Sequence, residues 1–255
     1  MLEASVCLCA HGDIKAFLCG KNNLDEFNDL FHSDGPLALV GAGPCCAADL
    51  TLAGRHCCCF LAVDGGADTL LAHNISPVAV IGDLDSIGDQ ARSQIPPDRL
   101  HLITEQDSTD FEKCLRHISA PLILALGFTG GRIDHQMAAF HALMRYRHQR
   151  CVLLGEEDVV FLAPPEISLN LPKHTRVSLF PLGPVNGDSE GLFWPIDGLA
   201  FAPGRTIGTS NWALGPVRLR VSAAHMLVIL PRNCVAVALE GLLAVAPVWP
   251  AHSSS

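Results

Sequence analysis

The chain has 255 residues, 49% of them hydrophobic and 17% charged, so it is long enough to bury a large core in one or two domains. This composition excludes a disordered chain. The 17 Lys and Arg residues against 26 Asp and Glu residues give a net charge of −9, which disfavours nucleic acids and anionic membranes as partners.

Membrane and secretory segments are not expected either. Apolar runs such as 121–126 and 226–230 are far shorter than the roughly 18 residues that a membrane span requires. The N-terminus lacks the basic start of a secretory signal. The eleven cysteines are an odd number and include three in a row at 57–59. We interpret them as buried free thiols in a reducing cytoplasm.

The pattern along the chain predicts two domains after an N-terminal extension, residues 1–35, that fits neither. Short apolar runs then alternate with helical patterns, which is typical of an α/β domain with a parallel sheet, and we place this domain at 36–160. Its predicted strands and helices are 37–40, 57–63, 78–81, 109–118 (helix), 122–126, 134–147 (helix) and 151–154.

After Pro164 and Pro165 the pattern changes to short strands between Gly and Pro turns. Residues 217–222 alternate strictly between apolar and polar, as expected for a half-buried antiparallel strand. We therefore predict an all-β sandwich domain at 166–247, with strands at 176–180, 191–195, 217–222 and 226–230.

Glycine and aspartate clusters directly follow three predicted strands of the first domain, at 64–66, 82–86 and 127–134. The carboxyl ends of parallel strands share one crevice, so we expect the clusters to converge. Asp83 and Asp85 would face the same way in an extended stretch and repel unless a cation such as Mg²⁺ neutralises them. Ordinary turn chemistry is the alternative for each cluster.

The segment 106–113 combines a structural and a functional pattern. Thr109 and Glu112 form a capping box, which predicts a helix start and needs no function. Asp110 and Lys113 are not explained by the cap. They could hold metal and phosphate at the crevice, or form an ordinary surface pair one helical turn apart.

Gly130, Gly131 and Arg132 precede the helix that contains Asp134. Glycines that let the backbone approach a ligand, a helix N-terminus and a guanidinium lie together here, which favours phosphate binding. The alternative is an ordinary loop, since a glycine pair before a helix is also common there. The order of residues matches neither a Walker A loop nor a dinucleotide fingerprint.

Together these segments resemble a known family. VDGGA at 63–67, GDLDS at 82–86, QDSTDFEK at 106–113 and GGRIDH at 130–135 are similar, in order and spacing, to the four motifs of thiamine pyrophosphokinases. The segments 177–181, 191–195 and 208–212 resemble the β-domain motifs of that family. The family pattern does not include the extension at 1–35, whose role stays open.

The resemblance implies a homodimer that uses Mg²⁺ to transfer pyrophosphate from ATP to the hydroxyl of thiamine, giving thiamine diphosphate and AMP. It implies a metal and catalytic role for Asp83, Asp85 and Asp110. It implies nucleotide and phosphate contacts from Asp64, Gly65, Gly66, Lys113, Gly130, Gly131, Arg132 and Asp134. Substrate contacts are implied for Gln106, Thr109, Ser210, Asn211 and Trp212, the last three at the thiamine end across the dimer interface.

Two other functions use the same crevice. A metal-dependent phosphohydrolase would release phosphate from nucleotide without an acceptor, and a binding protein would hold nucleotide or thiamine without forming AMP. Trp212 likewise has two interpretations, since it could stack on the cationic thiamine or pack in the core of the sandwich.

Overall fold

The computed structural model of the chain describes residues 30–245 and 249–251, so most of the extension and the last four residues lie outside the described part. Strands β2 to β5, β7 and β8 form a parallel sheet in the order β8, β7, β2, β3, β4, β5. Their bounds are Leu37–Val40, Cys59–Val63, Ala79–Gly82, Leu100–Leu102, Ile123–Leu126 and Cys151–Leu154.

Helices cover both faces of this sheet, which is why its central strands are buried along their whole length. Helices α1 (Ala47–Gly54), α2 (Gly66–Ala72) and α3 (Asp89–Gln94) pack on one face, and α4 (Asp110–His117) and α5 (Ile133–Arg145) pack on the other. Two short strands, β1 (Phe31–His32) and β6 (Ile118–Ser119), pair in parallel beside it.

The second half of the chain is antiparallel. Its central strand is β14 (Gly208–Val221), whose first part pairs with β11 while its second part pairs with β10 and β12. The two pairings enclose one apolar core. The other strands and the closing helix are β9 (Asp158–Leu162), β10 (Glu166–Leu169), β11 (Arg176–Pro181), β12 (Val185–Leu192), β13 (Ala200–Phe201), β15 (Met226–Pro231) and α6 (Val235–Ala244).

The two halves, here called the α/β region (30–154) and the β region (158–245), share a continuous sheet. Strand β9 pairs with β8 along one edge and with β15 along the other, both antiparallel. Arg150 adds a hydrogen bond to the carbonyl of Val245. The predicted fold class is confirmed, while the predicted bounds of the two domains stay a prediction.

Most predicted elements are present with ends shifted by a few residues, although the strand predicted at 217–222 begins already at Gly208, and several other features differ. The strand predicted at 191–195 is wrong, because β12 ends at Leu192 and the next residues lie in a bend. Helix α6 interrupts the predicted all-β pattern; apolar residues lie on almost every side of it, so no helical period marks it, although only about half of its residues are buried. Helices α1 to α3 and strands β5, β9, β10 and β13 were not predicted either.

The thiols only partly match the prediction. Among the cysteines that the structure describes, Cys114, Cys151 and Cys234 are buried free thiols as expected, whereas Cys45, Cys57 and Cys59 are only partly buried. Cys46 and Cys58 are instead exposed, because each lies in a loop just before its helix or strand. Among the described residues, no helix is both long enough and apolar enough to cross a membrane.

Candidate active site

A cleft of about 470 Å³ opens at the carboxyl ends of the parallel strands. The loop 41–43 after β2 and the loop 127–129 after β7 form its floor. From β2 the chain runs outward through β3, β4 and β5 and later returns to β7 on the other side, so the cleft lies where the strand order reverses. Ligands of open α/β sheets bind at this point.

The two loops approach each other through glycines. The N–H of Gly43 donates to the carbonyl of Gly127 at 3.0 Å, and a Cβ on Gly43 would lie 2.4 Å from that oxygen. Gly127 has a φ of 75°, which favours glycine. At these glycines the backbones of the two loops are in direct contact.

Three carboxylates converge beside this floor. Asp64 follows β3, Asp83 follows β4 and Asp110 opens α4, and one oxygen from each lies within 4.8 Å of the other two. The carboxylates come from three separate segments, as the shared crevice predicts. Carboxylate oxygens in this number suit Mg²⁺, which takes one or two of them together with phosphate oxygens and water.

Asp64 is the most buried member, with 7% of its surface exposed. Its φ of 45° turns the chain sharply, and its Oδ1 accepts a hydrogen bond from the N–H of Ser86 at 3.3 Å. Burial raises the pKa of Asp64, and the negative charges of Asp110 and Asp83 raise it further. The hydrogen bonds from Ser86 oppose this increase but do not cancel it. A cation would relieve this repulsion, so the donor set fits a divalent metal.

Lys113 lies against this cluster and is 2% exposed. Its Nζ donates to Asp110 Oδ1 at 2.8 Å, and the two residues are one helical turn apart on α4. Burial lowers the pKa of Lys113, but the hydrogen bond and the charges of Asp110 and Asp83 outweigh it and leave the pKa raised. The ammonium therefore stays charged beside the carboxylates. The surface-pair alternative does not describe this buried lysine.

Asp85 differs in position from its predicted partner. The segment after β4 is a bend in which Leu84 has a φ of 61°, so Asp83 and Asp85 are not two residues of one extended strand. Asp85 accepts a hydrogen bond from Ser86 Oγ at 2.9 Å and lies outside the three-carboxylate group. The geometric reason for pairing them was wrong, while the metal role of Asp85 stays a prediction.

The segment before α4 behaves as the capping box predicts. Thr109 Oγ1 accepts from the N–H of Glu112 at 3.3 Å, and Glu112 Oε2 accepts from the N–H of Thr109 at 3.2 Å. Thr109 also lines the cleft. Gln106 is exposed and is not among the cleft residues.

The glycines of the first motif have a packing role. Gly65 is the residue before α2, and Gly66 is buried so tightly that a Cβ there would lie 1.9 Å from the carbonyl oxygen of Val40. This contact brings the start of α2 down onto β2. It explains Gly66 without a ligand, so the phosphate role of Gly65 and Gly66 stays a prediction.

The opposite rim of the cleft carries the basic motif. Gly131 and Arg132 line the cleft, and Gly130 has a φ of 80°. Arg132 makes a bidentate ion pair with Asp134, at 2.5 and 3.1 Å, and both side chains are exposed. The hydrogen bonds from Arg132 lower the pKa of Asp134 to about 2. The guanidinium is thus held at the mouth of the cleft.

The predicted thiamine end, Ser210 to Trp212, lies in the β region, where Trp212 forms an aromatic cluster with Phe193 and Trp194. The ring of Trp212 stacks on Phe193 at 4.3 Å and meets Trp194 edge-on at 4.4 Å. Phe193 and Trp194 remain about half exposed. Within the described part of the chain, no residue of this cluster lines the cleft.

Asn211 holds the aromatic cluster together. It is buried, its Oδ1 accepts from the N–H groups of Trp194 and Trp212, and its Nδ2 donates to the carbonyl of Trp194 at 2.7 Å. Ser210 is exposed with a φ of 65°, and its N–H donates to Ser178 Oγ. The observed contacts of Asn211 are structural, and its substrate role stays a prediction.

The loop 41–43 was missed by the sequence predictions. Its signal was present, since Gly-Ala-Gly directly follows the first predicted strand. His135, Ala138 and Ala139 also line the cleft, because the first turns of α5 face it.

Comparisons with known proteins agree with this geometry. Residues 52–154 match the family described as thiamin pyrophosphokinase, catalytic domain, a range that contains all three clustered carboxylates and Lys113. Thiamine pyrophosphokinase 1 of Oryza sativa subsp. japonica is 30% identical over 154 residues, covering 53% of this chain and 58% of the relative. Over residues 52–154 the chain is therefore similar to the catalytic domain of thiamine pyrophosphokinases. Thiamine pyrophosphokinase 2 of Arabidopsis thaliana is 28% identical and covers 62% of this chain and 72% of that protein.

Solved structures of the thiamine pyrophosphokinase family share the fold. The thiamin pyrophosphokinase from Geobacillus thermodenitrificans superposes with a TM-score of 0.66 at 24% identity, covering 77% of this chain and 97% of that one. The yeast enzyme gives the same TM-score at 17% identity, with 87% and 92% covered. The chain spans only a little over half the length of the first rice relatives it matches.

Proposed function

We propose that this protein transfers a pyrophosphoryl group from ATP to thiamine. The thiamine hydroxyl oxygen forms a bond to the β-phosphorus of ATP and loses its proton. The bond between that phosphorus and the oxygen that bridges the α- and β-phosphates breaks, and AMP leaves with this oxygen. This reaction asks the protein to position groups and neutralise charge. The observation that carries the proposal is the convergence of Asp64, Asp83 and Asp110 beside a glycine floor.

The residues divide the work by charge. Asp64, Asp83 and Asp110 would hold Mg²⁺, and we keep Asp85 as a further candidate ligand. Bound Mg²⁺ would neutralise the phosphate oxygens in the transition state. Lys113 is charged and fixed by Asp110, while Arg132 offers a second cation at the rim. The loop 41–43 can approach the phosphates because it has almost no side chains.

We also propose that two chains share each site. The aromatic cluster with Trp212 carries no acid, and the cleft in one chain has no aromatic residue of the β region in its described lining. A homodimer that brings the cluster of one chain to the cleft of the other would complete the site. A reducing cytoplasm suits the free thiols.

The test is incubation with ATP, Mg²⁺ and thiamine, with separation of the products. Equal amounts of AMP and thiamine diphosphate would support the transfer. Phosphate release that does not require thiamine would indicate a phosphohydrolase. Tight binding of either substrate without AMP would indicate a binding protein. Asp98→Asn, at an exposed carboxylate away from the cleft, is the matched control for loss of charge.

A further inference from the structure

Arg232 reaches from the β region into the α/β region. It opens the short 3₁₀ turn Arg232–Cys234 directly after β15, and its N–H donates to the carbonyl of Glu157 at 2.9 Å. Its side chain is about one quarter exposed. The residue belongs to neither the acidic cluster nor the lining of the cleft.

The guanidinium of Arg232 serves two acceptors on different segments. One Nη donates to the carbonyl of Gly155 at 2.5 Å, and the other donates to Oδ1 of Asp49. Asp49 is itself only 16% exposed. Ion pairs that are partly desolvated and charge-assisted hold their geometry better than exposed pairs do. The fork of Arg232 therefore fixes two segments relative to each other.

The first of these segments is the start of α1. Asp49 Oδ2 accepts the N–H of Cys46 at 2.7 Å, which forms a capping box at the helix N-terminus. Burial raises the pKa of Asp49, but the bonds from Cys46 and Arg232 outweigh it and leave the pKa lowered. Only two residues separate Cys46 from Gly43, a member of the cleft floor. The position of Asp49 thus determines where the loop 41–43 ends.

The second segment reaches the cleft through packing. Gly155 follows β8, and a Cβ on it would lie 3.0 Å from Thr129 Oγ1. Thr129 lines the cleft on the side of β7. The carbonyl of Gly155 is bound by Arg232, and its N–H donates to the carbonyl of Asp158 at 2.8 Å. Both loops of the floor are therefore tied to one guanidinium.

We infer that Arg232 is a positioning residue for the nucleotide-binding floor of the cleft, acting through Asp49 and Gly155. This inference rests on the proposed function, which places the phosphates of ATP on that floor. The contact makes a side chain of the β region responsible for the spacing of two loops in the α/β region. It supplies a link within one chain, separate from any sharing of sites between chains.

The experiment compares Arg232→Gln, Arg232→Lys and Asp49→Asn with the wild type. Arg218→Gln is the matched control, since Arg218 also has two acceptors, here the carboxylates of Glu166 and Glu190, but lies on the surface of the β region. Each protein is titrated with α,β-methylene ATP and Mg²⁺, and KM values for ATP and thiamine and the melting temperature are measured.

We expect Arg232→Gln to weaken analogue binding and raise the KM for ATP by about 3- to 10-fold, with the thiamine KM unchanged. Arg232→Lys should lie between it and the wild type, because an ammonium cannot serve both acceptors with a rigid fork. Asp49→Asn keeps an acceptor for Cys46 but loses its charge, so it should move in the same direction as Arg232→Gln. Arg218→Gln should leave both KM values unchanged.

If Arg232→Gln lowers the melting temperature but leaves the nucleotide affinity unchanged, Arg232 only stabilises the contact between the two regions, and the inference is wrong. Equal increases in both KM values would also overturn the inference, since they indicate general loosening. The proposed function fails separately, if the wild type forms no thiamine diphosphate. In that case the analogue titration still decides whether Arg232 positions the floor.

Discussion

The α/β region and the β region differ in the kind of side chains that they bring together. The first gathers three carboxylates and a buried lysine at the ends of parallel strands, where backbone and charge are fixed before any ligand arrives. The second contains three aromatic rings, two of them about half exposed, whose backbone is held by hydrogen bonds to the side chain of Asn211. Phosphate chemistry needs preorganised charge, whereas a flat organic cation needs an apolar face.

The difference also concerns completeness. All three carboxylates of the acidic cluster come from one chain, whereas Phe193 and Trp194 of the aromatic cluster remain about half exposed in a single chain. Exposed aromatic residues of this size mark interaction sites more often than bare surface. Under the proposed function, one chain would supply a complete phosphate site and an incomplete acceptor site.

Loss of charge in the acidic cluster should have the largest effect. We expect Asp83→Asn and Asp110→Asn each to lower kcat by at least about 100-fold, because the phosphates are then under-neutralised. Steady-state rates at saturating Mg²⁺ check this, with Asp98→Asn as control. If Asp85 also binds the metal, Asp85→Asn should lower kcat by a similar factor. A decrease of less than about tenfold would mean that Asp85 has only a structural role in the bend after β4.

Loss of the central aromatic ring should be weaker and selective. Trp212→Ala should raise the KM for thiamine by roughly 5- to 30-fold, with little change for ATP, since stacking on a cation contributes about 1–2 kcal/mol. Trp249→Ala is the contrasting control, because Trp249 packs against the core and its indole N–H donates to Ala163. That variant should lower the melting temperature instead. An unchanged thiamine KM in Trp212→Ala would mean that the ring only packs.

Mixing two defective chains tests whether the two regions meet across chains. Asp83→Asn mixed with Trp212→Ala at low thiamine should recover about a quarter of wild-type activity once subunits exchange, because half of the dimers then carry one intact site of two. Asp83→Asn mixed with Asp110→Asn should recover none. Absence of recovery in the first mixture, with exchange demonstrated, would contradict shared sites.

The smallest effects concern stability. The pKa of Asp64 is raised by burial, so its charged form destabilises the fold at neutral pH, and this cost disappears as pH falls through the raised pKa. Without Mg²⁺, Asp64→Asn should therefore raise the melting temperature slightly at neutral pH. Asp110→Asn should lower it, since it leaves the buried charge of Lys113 without its partner. Thermal unfolding of both variants checks the opposite signs.

The sequence predicted the parallel strands well because they are buried on both faces and read as short continuous apolar runs. Strands β2 and β8 have the predicted bounds, and Thr109 caps α4 as its capping box requires. Helix α6 was not predicted because apolar residues lie on almost every side of it, which removes the helical period. Strand β12 ends at Leu192, earlier than predicted. The N–H of Trp194, just beyond this end, donates to the side chain of Asn211, which is 17 residues away in sequence.

Within the site, residue types were easier to predict than geometry. The convergence of Asp64, Asp83 and Asp110 follows from strand topology, which sequence pattern indicates. The position of Asp85 depends on the φ of Leu84, a non-glycine residue in the left-handed region, and no pattern signals such a turn. The ion pair of Arg232 with Asp49 joins residues 183 positions apart and was equally invisible.

Strand β9 has a practical consequence for anyone dividing the molecule. Its two edges are both occupied, and Val159 and Phe161 are completely buried. A cut at Pro164 and Pro165, where composition suggests a natural boundary, would strip β15 from β9 and leave a long apolar strand edge open. Such edges aggregate. Two fragments produced together should instead rejoin along this ladder, so the proline pair is suited to fragment complementation and unsuited to isolating a domain.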